Sequence, residues 1–194
     1  MGISERKKRE RAKMQKLILD TANTLFLKGG LQNISIRKIA DKIEYSPATI
    51  YLYFKDKDEI INSLREKSVN DFIKKLEEYS FIKDHFGRLK NMSNSWVEFA
   101  ISNPEKYKLK FLNKEKVSED KIYTYLSDIL LKTISDNRIQ RMPVIEGTTI
   151  VFSFLHGLSQ MVMSRKFDIR SKAELKEFAE NIINRFLNGL RSGY

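Results

Sequence analysis

Cysteine and histidine, side chains that often carry nucleophilic, metal-binding or acid–base chemistry, are scarce in this 194-residue chain. It has no cysteine, which excludes disulfides, thiol nucleophiles and cysteine-bound zinc. Its two histidines, His85 and His156, form no pair at ligand spacing, and no Ser-His-Asp pattern or glycine-rich phosphate loop accompanies them. We therefore expect no enzyme, no metal site and no cofactor. The residues whose types and spacing do suggest chemistry lie between Ile36 and Phe54. There the run Ser46-Pro47-Ala48-Thr49-Ile50-Tyr51-Leu52-Tyr53 offers hydroxyls and small methyl-bearing groups with no acidic side chain. Such a set suits the phosphates, base edges and thymine methyls of duplex DNA.

Charge supports that reading. The chain carries a net charge of +11, and residues 1–57 hold 13 basic against 6 acidic side chains. The densest stretch is Arg6-Lys7-Lys8-Arg9-Glu10-Arg11 followed by Lys13. A basic segment of this kind is the electrostatic footprint of nucleic-acid or anionic-membrane binding, or simply a solvated helix end. The longest apolar region, 150–163, is interrupted by Ser153, His156, Gly157, Ser159 and Gln160 and is too short to span a bilayer. No signal-type stretch opens the chain, so a soluble, cytoplasmic protein with no membrane partner is expected. An apolar fraction of 41% with 12 Phe and 8 Tyr is enough to build a core.

The elements that position these residues read as helices throughout. Met14, Leu17, Ile18, Ala22, Leu25 and Phe26 recur at helical spacing until Gly29-Gly30 stops the run. Ser35 caps a short helix to about Lys42 that buries Ile36, Ile39 and Ala40. Ser46-Pro47 starts another short helix, ending near Tyr53-Phe54. Asp56-Lys57-Asp58-Glu59 is a capping box opening a long one, with Ile60, Leu64, Phe72, Ile73 and Leu76 inward. Further helices are expected at 86–102, from Asn103-Pro104, from Ser118, over 143–165 and from the second capping box, Ser171-Lys172-Ala173-Glu174. The joints at 113–119 and 136–142 are expected to be the most flexible. No stretch alternates with period two, so the chain is all-α with about nine helices. Two short helices joined by a tight turn have the dimensions of a helix-turn-helix. In that motif the second helix enters the major groove. Ile50 and Phe54, four apart, would pin the second helix to a core and leave Pro47, Ala48, Thr49, Tyr51 and Tyr53 outward.

Residues 18–64 resemble the DNA-binding domain of TetR-family transcriptional regulators. The resemblance rests on Ile39-Ala40, on Ser46 through Lys57 with its Tyr51-Leu52-Tyr53-Phe54 core, and on Glu59-Ile60. It implies a three-helix DNA-binding domain over 1–57 and a helical ligand-binding and dimerisation domain over 58–194. It further implies a homodimer that binds a palindromic operator in double-stranded DNA and acts as a repressor released by a small-molecule effector. Carried over by position, Ser35, Thr49, Tyr51 and Lys57 correspond to phosphate contacts. Arg37, Pro47, Ala48 and Tyr53 correspond to base-reading positions, and Lys38 and Ser46 complete the candidate interface. The family's turn usually has glycine where this chain has Glu44, so Glu44 must take a strained backbone or reshape the turn.

The C-terminal part resembles the family's regulatory domains more loosely, through Phe154-Leu155-His156-Gly157-Leu158 and Asn103-Pro104-Glu105-Lys106-Tyr107. Met92, Trp96, Phe99, Tyr107, Phe111 and Tyr123 are candidates to line an effector cavity, or else plain core. His156 is a candidate ligand contact, or a hydrogen-bonded core residue. By family pattern the helices at 143–165 and 171–189 form the dimer interface, with Phe154, Leu158, Phe178, Ile182 and Phe186 at its centre. The rival reading is a helical adaptor that meets partners or a membrane surface through the basic N-terminus.

Overall fold

The computed structural model describes residues 3–111, 120–164, 167, 169 and 171–191. Among them the chain forms nine α-helices, one 3-10 turn and no strand. Internal packing divides it into two compact units, Met1–Ser68 and Val69–Tyr194, with the division falling inside the fourth helix.

In the first unit, α1 (Ile3–Gly29) ends where Gly30 takes a φ of 70° and donates its N–H to Phe26 O. Helix extends through the basic stretch, well upstream of the apolar periodicity that begins at Met14. Ile18, Ala22, Leu25 and Phe26 are buried, but Leu17 is 43% exposed. It precedes Ile18 by one residue, so it lies about 100° round the helix, outside the buried arc. Ser35 caps α2 (Ile36–Ile43), its Oγ accepting the Lys38 N–H at 3.1 Å. Ser46 caps α3 (Pro47–Tyr51), with Pro47 at the first helical position. The regular helix stops at Tyr51, short of the Tyr53-Phe54 limit expected. Tyr53 and Phe54 nevertheless both donate N–H to Ile50 O, at 2.9 and 3.1 Å, so the coil continues through them. Asp56 then accepts the Glu59 N–H at 2.8 Å to start α4 (Lys57–Glu77). The capping box closes one residue early, because the Glu59 carboxylate accepts from the Lys55 N–H. Ile39, Ile50, Ile60 and Leu64 complete this core.

In the second unit, α5 (His85–Ser102) is the central element and packs on α6 (Pro104–Phe111), α7 (Lys121–Ser135), α8 (Val144–Met163) and α9 (Lys172–Gly189). Phe72 and Leu76 from the later part of α4 join its core, while Ile73 is half-buried at the edge. The helix expected from Ser118 begins instead at Lys121, with the Asp120 carboxylate accepting the Ile122 and Tyr123 N–H groups. Ser118 and the joint at 113–119 lie outside the described residues. Asp120 also pairs with Lys110 in a buried ion pair that ties α6 to the start of α7. The joint at 136–142 is anchored, contrary to its expected flexibility. Ile139 is fully buried there, and Gln140 donates its N–H to Leu190 O at 2.9 Å. Ser171 caps α9 as its sequence indicated, accepting the Glu174 N–H at 3.1 Å.

The tight turn between α2 and α3 keeps the left-handed geometry that glycine would favour. Glu44 adopts φ 60° and ψ 39°, and the next N–H, from Tyr45, reaches back to Ala40 O at 3.0 Å. A non-glycine residue in that region carries a steric cost of roughly 1–2 kcal/mol, partly offset by the greater unfolded-state freedom of glycine. Glu44→Gly should therefore raise stability by about 0.5–1 kcal/mol in urea unfolding. Glu44→Ala, which keeps the strain, should not. Equal stability of Glu44→Gly and Glu44→Ala would show that the turn is unstrained.

Candidate nucleic-acid interface

Helix α3 is held from beneath. Ile50 is fully buried and Phe54 is 4% exposed. With those two inward, Pro47 and Ala48 are exposed and Tyr51 is 56% exposed. Thr49 and Tyr53 are half-buried. Ser46 and Thr49 act together: Ser46 Oγ accepts the Thr49 N–H at 3.2 Å, and the two hydroxyls are 3.0 Å apart. Sharing that bond sets the direction of both hydroxyls while leaving acceptor and donor capacity for a phosphate or base.

The flanking candidates gather in the same unit. Ser35 stands at the N-terminus of α2 and Arg37 is exposed one residue into that helix. Lys38 Nζ is held by Asn33 Oδ1 at 2.7 Å, so its ammonium is engaged within the protein. Lys57 is the first residue of α4 and half-buried. Two features had no separate sequence signal or were overlooked. The Arg11 guanidinium sits 5.3 Å from the centre of the Tyr53 ring, joining the basic stretch of α1 to the coil that follows α3. Leu52 is 67% exposed. Its position four residues after the outward Ala48 was the available signal, one helical turn along the same face.

The candidate effector residues are brought together, but as closely knit core. Met92, Trp96 and Tyr107 are each no more than 2% exposed, and Phe99, Tyr123 and His156 are half-buried. The Phe111 side chain lies outside the described residues. Trp96 meets Phe72 and Phe152 edge-to-face at 5.3 and 5.4 Å and donates its indole N–H to Tyr107 Oη at 3.0 Å. That hydroxyl also lies 3.1 Å from His156 Nδ1. Tyr123 donates to Ile145 O at 3.1 Å, and Tyr123 and Phe152 rings lie 5.5 Å apart. A cleft of about 260 Å³ opens elsewhere in the unit, lined by Ile101, Pro104, Val162, Met163, Phe167 and Leu175 with Ser171 and Lys172. Among the described side chains, none of the predicted effector residues lines it.

The expected dimer residues divide. Phe178, Ile182, Phe154 and Phe186 stay half-buried, the last two stacked with ring centres 3.7 Å apart. Leu158 is 6% exposed and belongs to the internal core. It follows Leu155 by three residues on the inward side of α8, which leaves Gly157 as the outward neighbour.

Comparison with known proteins bears on this geometry. Residues 18–64 match the model for bacterial regulatory proteins of the tetR family, the stretch that holds α2, α3 and both buried anchors. Residues 18–64 therefore carry a DNA-binding domain of the TetR type. It is 21% identical over 180 residues to an uncharacterized HTH-type transcriptional regulator, YobS, of Bacillus subtilis (strain 168), covering 91% of this chain and 92% of that one. Its fold matches a TetR-family regulator from Pectobacterium atrosepticum with a TM-score of 0.76 at 13% identity, over 95% of this chain and 97% of the other. It also matches the transcriptional regulator FadR from Bacillus subtilis, solved in complex with stearoyl-CoA, with a TM-score of 0.65 at 21% identity, over 92% and 98%. The adaptor reading is not favoured, since the helix that carries the basic stretch continues into the matched segment. No helix among the described residues is long and apolar enough to cross a membrane.

Burial shifts the titration of two groups in this network. It raises the Tyr107 hydroxyl well above its ordinary range, although the hydrogen bond donated by Trp96 acts in the opposite direction. Burial lowers the His156 imidazole below its ordinary value of 6.5. A depressed histidine binds a proton more readily unfolded than folded, so stability falls as pH drops through about 6.5. His156→Gln should flatten that part of the loss in thermal melts between about pH 7.5 and pH 5.5. An unchanged pH profile in this variant would assign the loss to other groups.

Proposed function

We propose that this protein is a homodimeric repressor that reads a palindromic operator in the cytoplasm and releases it when a small molecule binds. The observation that carries the reading is the posture of α3, whose two apolar anchors are buried and whose uncharged polar face is turned out. Phosphate contacts fall to Ser35, Ser46, Thr49, Tyr51 and Lys57, and base reading to Arg37, Pro47, Ala48 and Tyr53. Lys38 joins them by exchanging Asn33 for a phosphate. Residues 1–57 read DNA, and residues 58–194 bind the effector and dimerise.

Dimerisation is supported by apolar surface left open in one copy. On α8, Ile150 and Met161 are 38% and 45% exposed, Phe154 is half-buried, and nothing lies within 4 Å of where a Gly157 side chain would begin. These positions recur at three- and four-residue spacing, so they form one stripe. Phe154 stacks on Phe186, extending the stripe onto α9 with Phe178 and Ile182. A two-fold packing of α8 and α9 would cover it. For the effector, the cleft favours a ligand with an apolar chain, and Lys172 in its lining suits an anionic group. Stearoyl-CoA, bound by the FadR neighbour, has that character. Met92, Trp96, Phe99, Tyr107, Tyr123 and His156 are then packed core rather than lining of the site.

Selection of duplexes from random DNA by the full chain, with sedimentation of the same sample, tests the reading. The wild type should sediment as a dimer and recover one palindrome. Phe186→Glu buries a charge without a partner, at a cost of about 3–5 kcal/mol to the interface. It should sediment as a folded monomer and lose selective binding. A folded monomer that still protects the whole palindrome with wild-type affinity would remove dimerisation from the mechanism.

A further inference from the structure

We infer that Leu52 reads a thymine methyl group and is a specificity-determining residue of this regulator, an inference that rests on α3 being the reading element. Among the described residues of the first unit, Leu52 is the most exposed large apolar side chain, at 67%. An exposed leucine is ordinarily unremarked, because much of any protein surface is apolar. Its placement is what distinguishes this one.

Leu52 has φ −71° and ψ −17°, and its N–H bonds to Thr49 O at 3.2 Å, so it continues the coil of α3. At about 100° per residue, Ala48 and Leu52 lie within about 20° of the direction opposite Ile50. Ile50 is fully buried. The two outermost side chains of the reading element are therefore Ala48 and, one turn on, Leu52. From Tyr45 to Phe54 no residue is charged, so this face does not hold DNA by ion pairing.

Chemistry narrows what Leu52 can meet there. It has no donor for a phosphate oxygen and no donor or acceptor for the polar base edges. The apolar group that base pairs present in the major groove is the C5 methyl of thymine. Contact with it removes a methyl-sized apolar surface from water on each side.

The probe is the duplex recovered by selection with the full chain, remade with deoxyuridine replacing thymidine one position at a time, which deletes only the methyl group. Wild-type protein should bind about four-fold more weakly for one such replacement in a single half-site, the equivalent of one buried methyl group. Leu52→Ala should bind the thymidine and deoxyuridine duplexes equally at that position, with an unchanged helical signal. Leu52→Met, which keeps the apolar reach, should retain most of the discrimination. If Leu52→Ala shows the wild-type preference for thymidine at every position, the inference is wrong. A wild type that recovers no consensus would instead overturn the assignment of α3 as the reading element, and this inference with it.

Discussion

A helix of five residues cannot persist alone in water, because nucleation fixes several dihedrals before hydrogen bonds offset the cost. α3 is such a helix, and its existence depends on the burial of Ile50 and Phe54 in the core of the first unit. Full burial of an isoleucine side chain contributes roughly 1.5–3 kcal/mol, which exceeds what one serine cap provides. Orientation follows from the same constraint. Once Ile50 and Phe54 face inward, the helical period decides that Ala48 and Leu52 face outward and that Tyr51 and Tyr53 flank them. The Ser46 cap, Pro47 and the left-handed Glu44 turn then fix where the helix begins.

Capping chemistry was the most legible part of the sequence. Ser35, Ser46, Asp56, Ser171 and Gly30 act at the helix ends where their types placed them, since each meets a local backbone need that no distant contact alters. Apolar periodicity gave the helices but not every inward face. Leu17 and Leu52 are apolar and exposed, and only the register of neighbouring anchors tells which side they take. The start of α7 was misplaced because Ser118 and Asp120 are both capping residues, and the choice between them depends on the buried partner Lys110. Leu158 could not be assigned to core or interface from a helix that is apolar on several sides.

The second unit shows why aromatic residues in a sequence do not locate a ligand site. Trp96, Tyr107 and Phe72 satisfy one another through edge-to-face contacts and a buried hydrogen bond, which fills the space they surround. The concavity falls instead among Ile101, Val162, Met163 and Leu175, at residues contributed by the ends of α5 and α8 and the start of α9. Helix ends leave volume that interdigitated mid-helix side chains do not, and end packing cannot be read from periodicity. The apolar positions of α8 and α9 that stay open belong to a different surface, so a ligand in the cleft and a partner on that surface would meet separate residues of one helix pair.

The central claim is that the outward face of α3 enters the major groove. Atom-by-atom replacement in the selected duplex tests it most directly. In 7-deazapurines a C–H replaces the N7 acceptor of the major groove, whereas 3-deazaadenine removes the N3 acceptor of the minor groove. The account predicts that 7-deaza replacements weaken binding by the full chain at two symmetric clusters, one per half-site, and that 3-deazaadenine within those clusters leaves it unchanged. Sensitivity to 3-deazaadenine alone, with 7-deaza duplexes bound at full affinity, would contradict it.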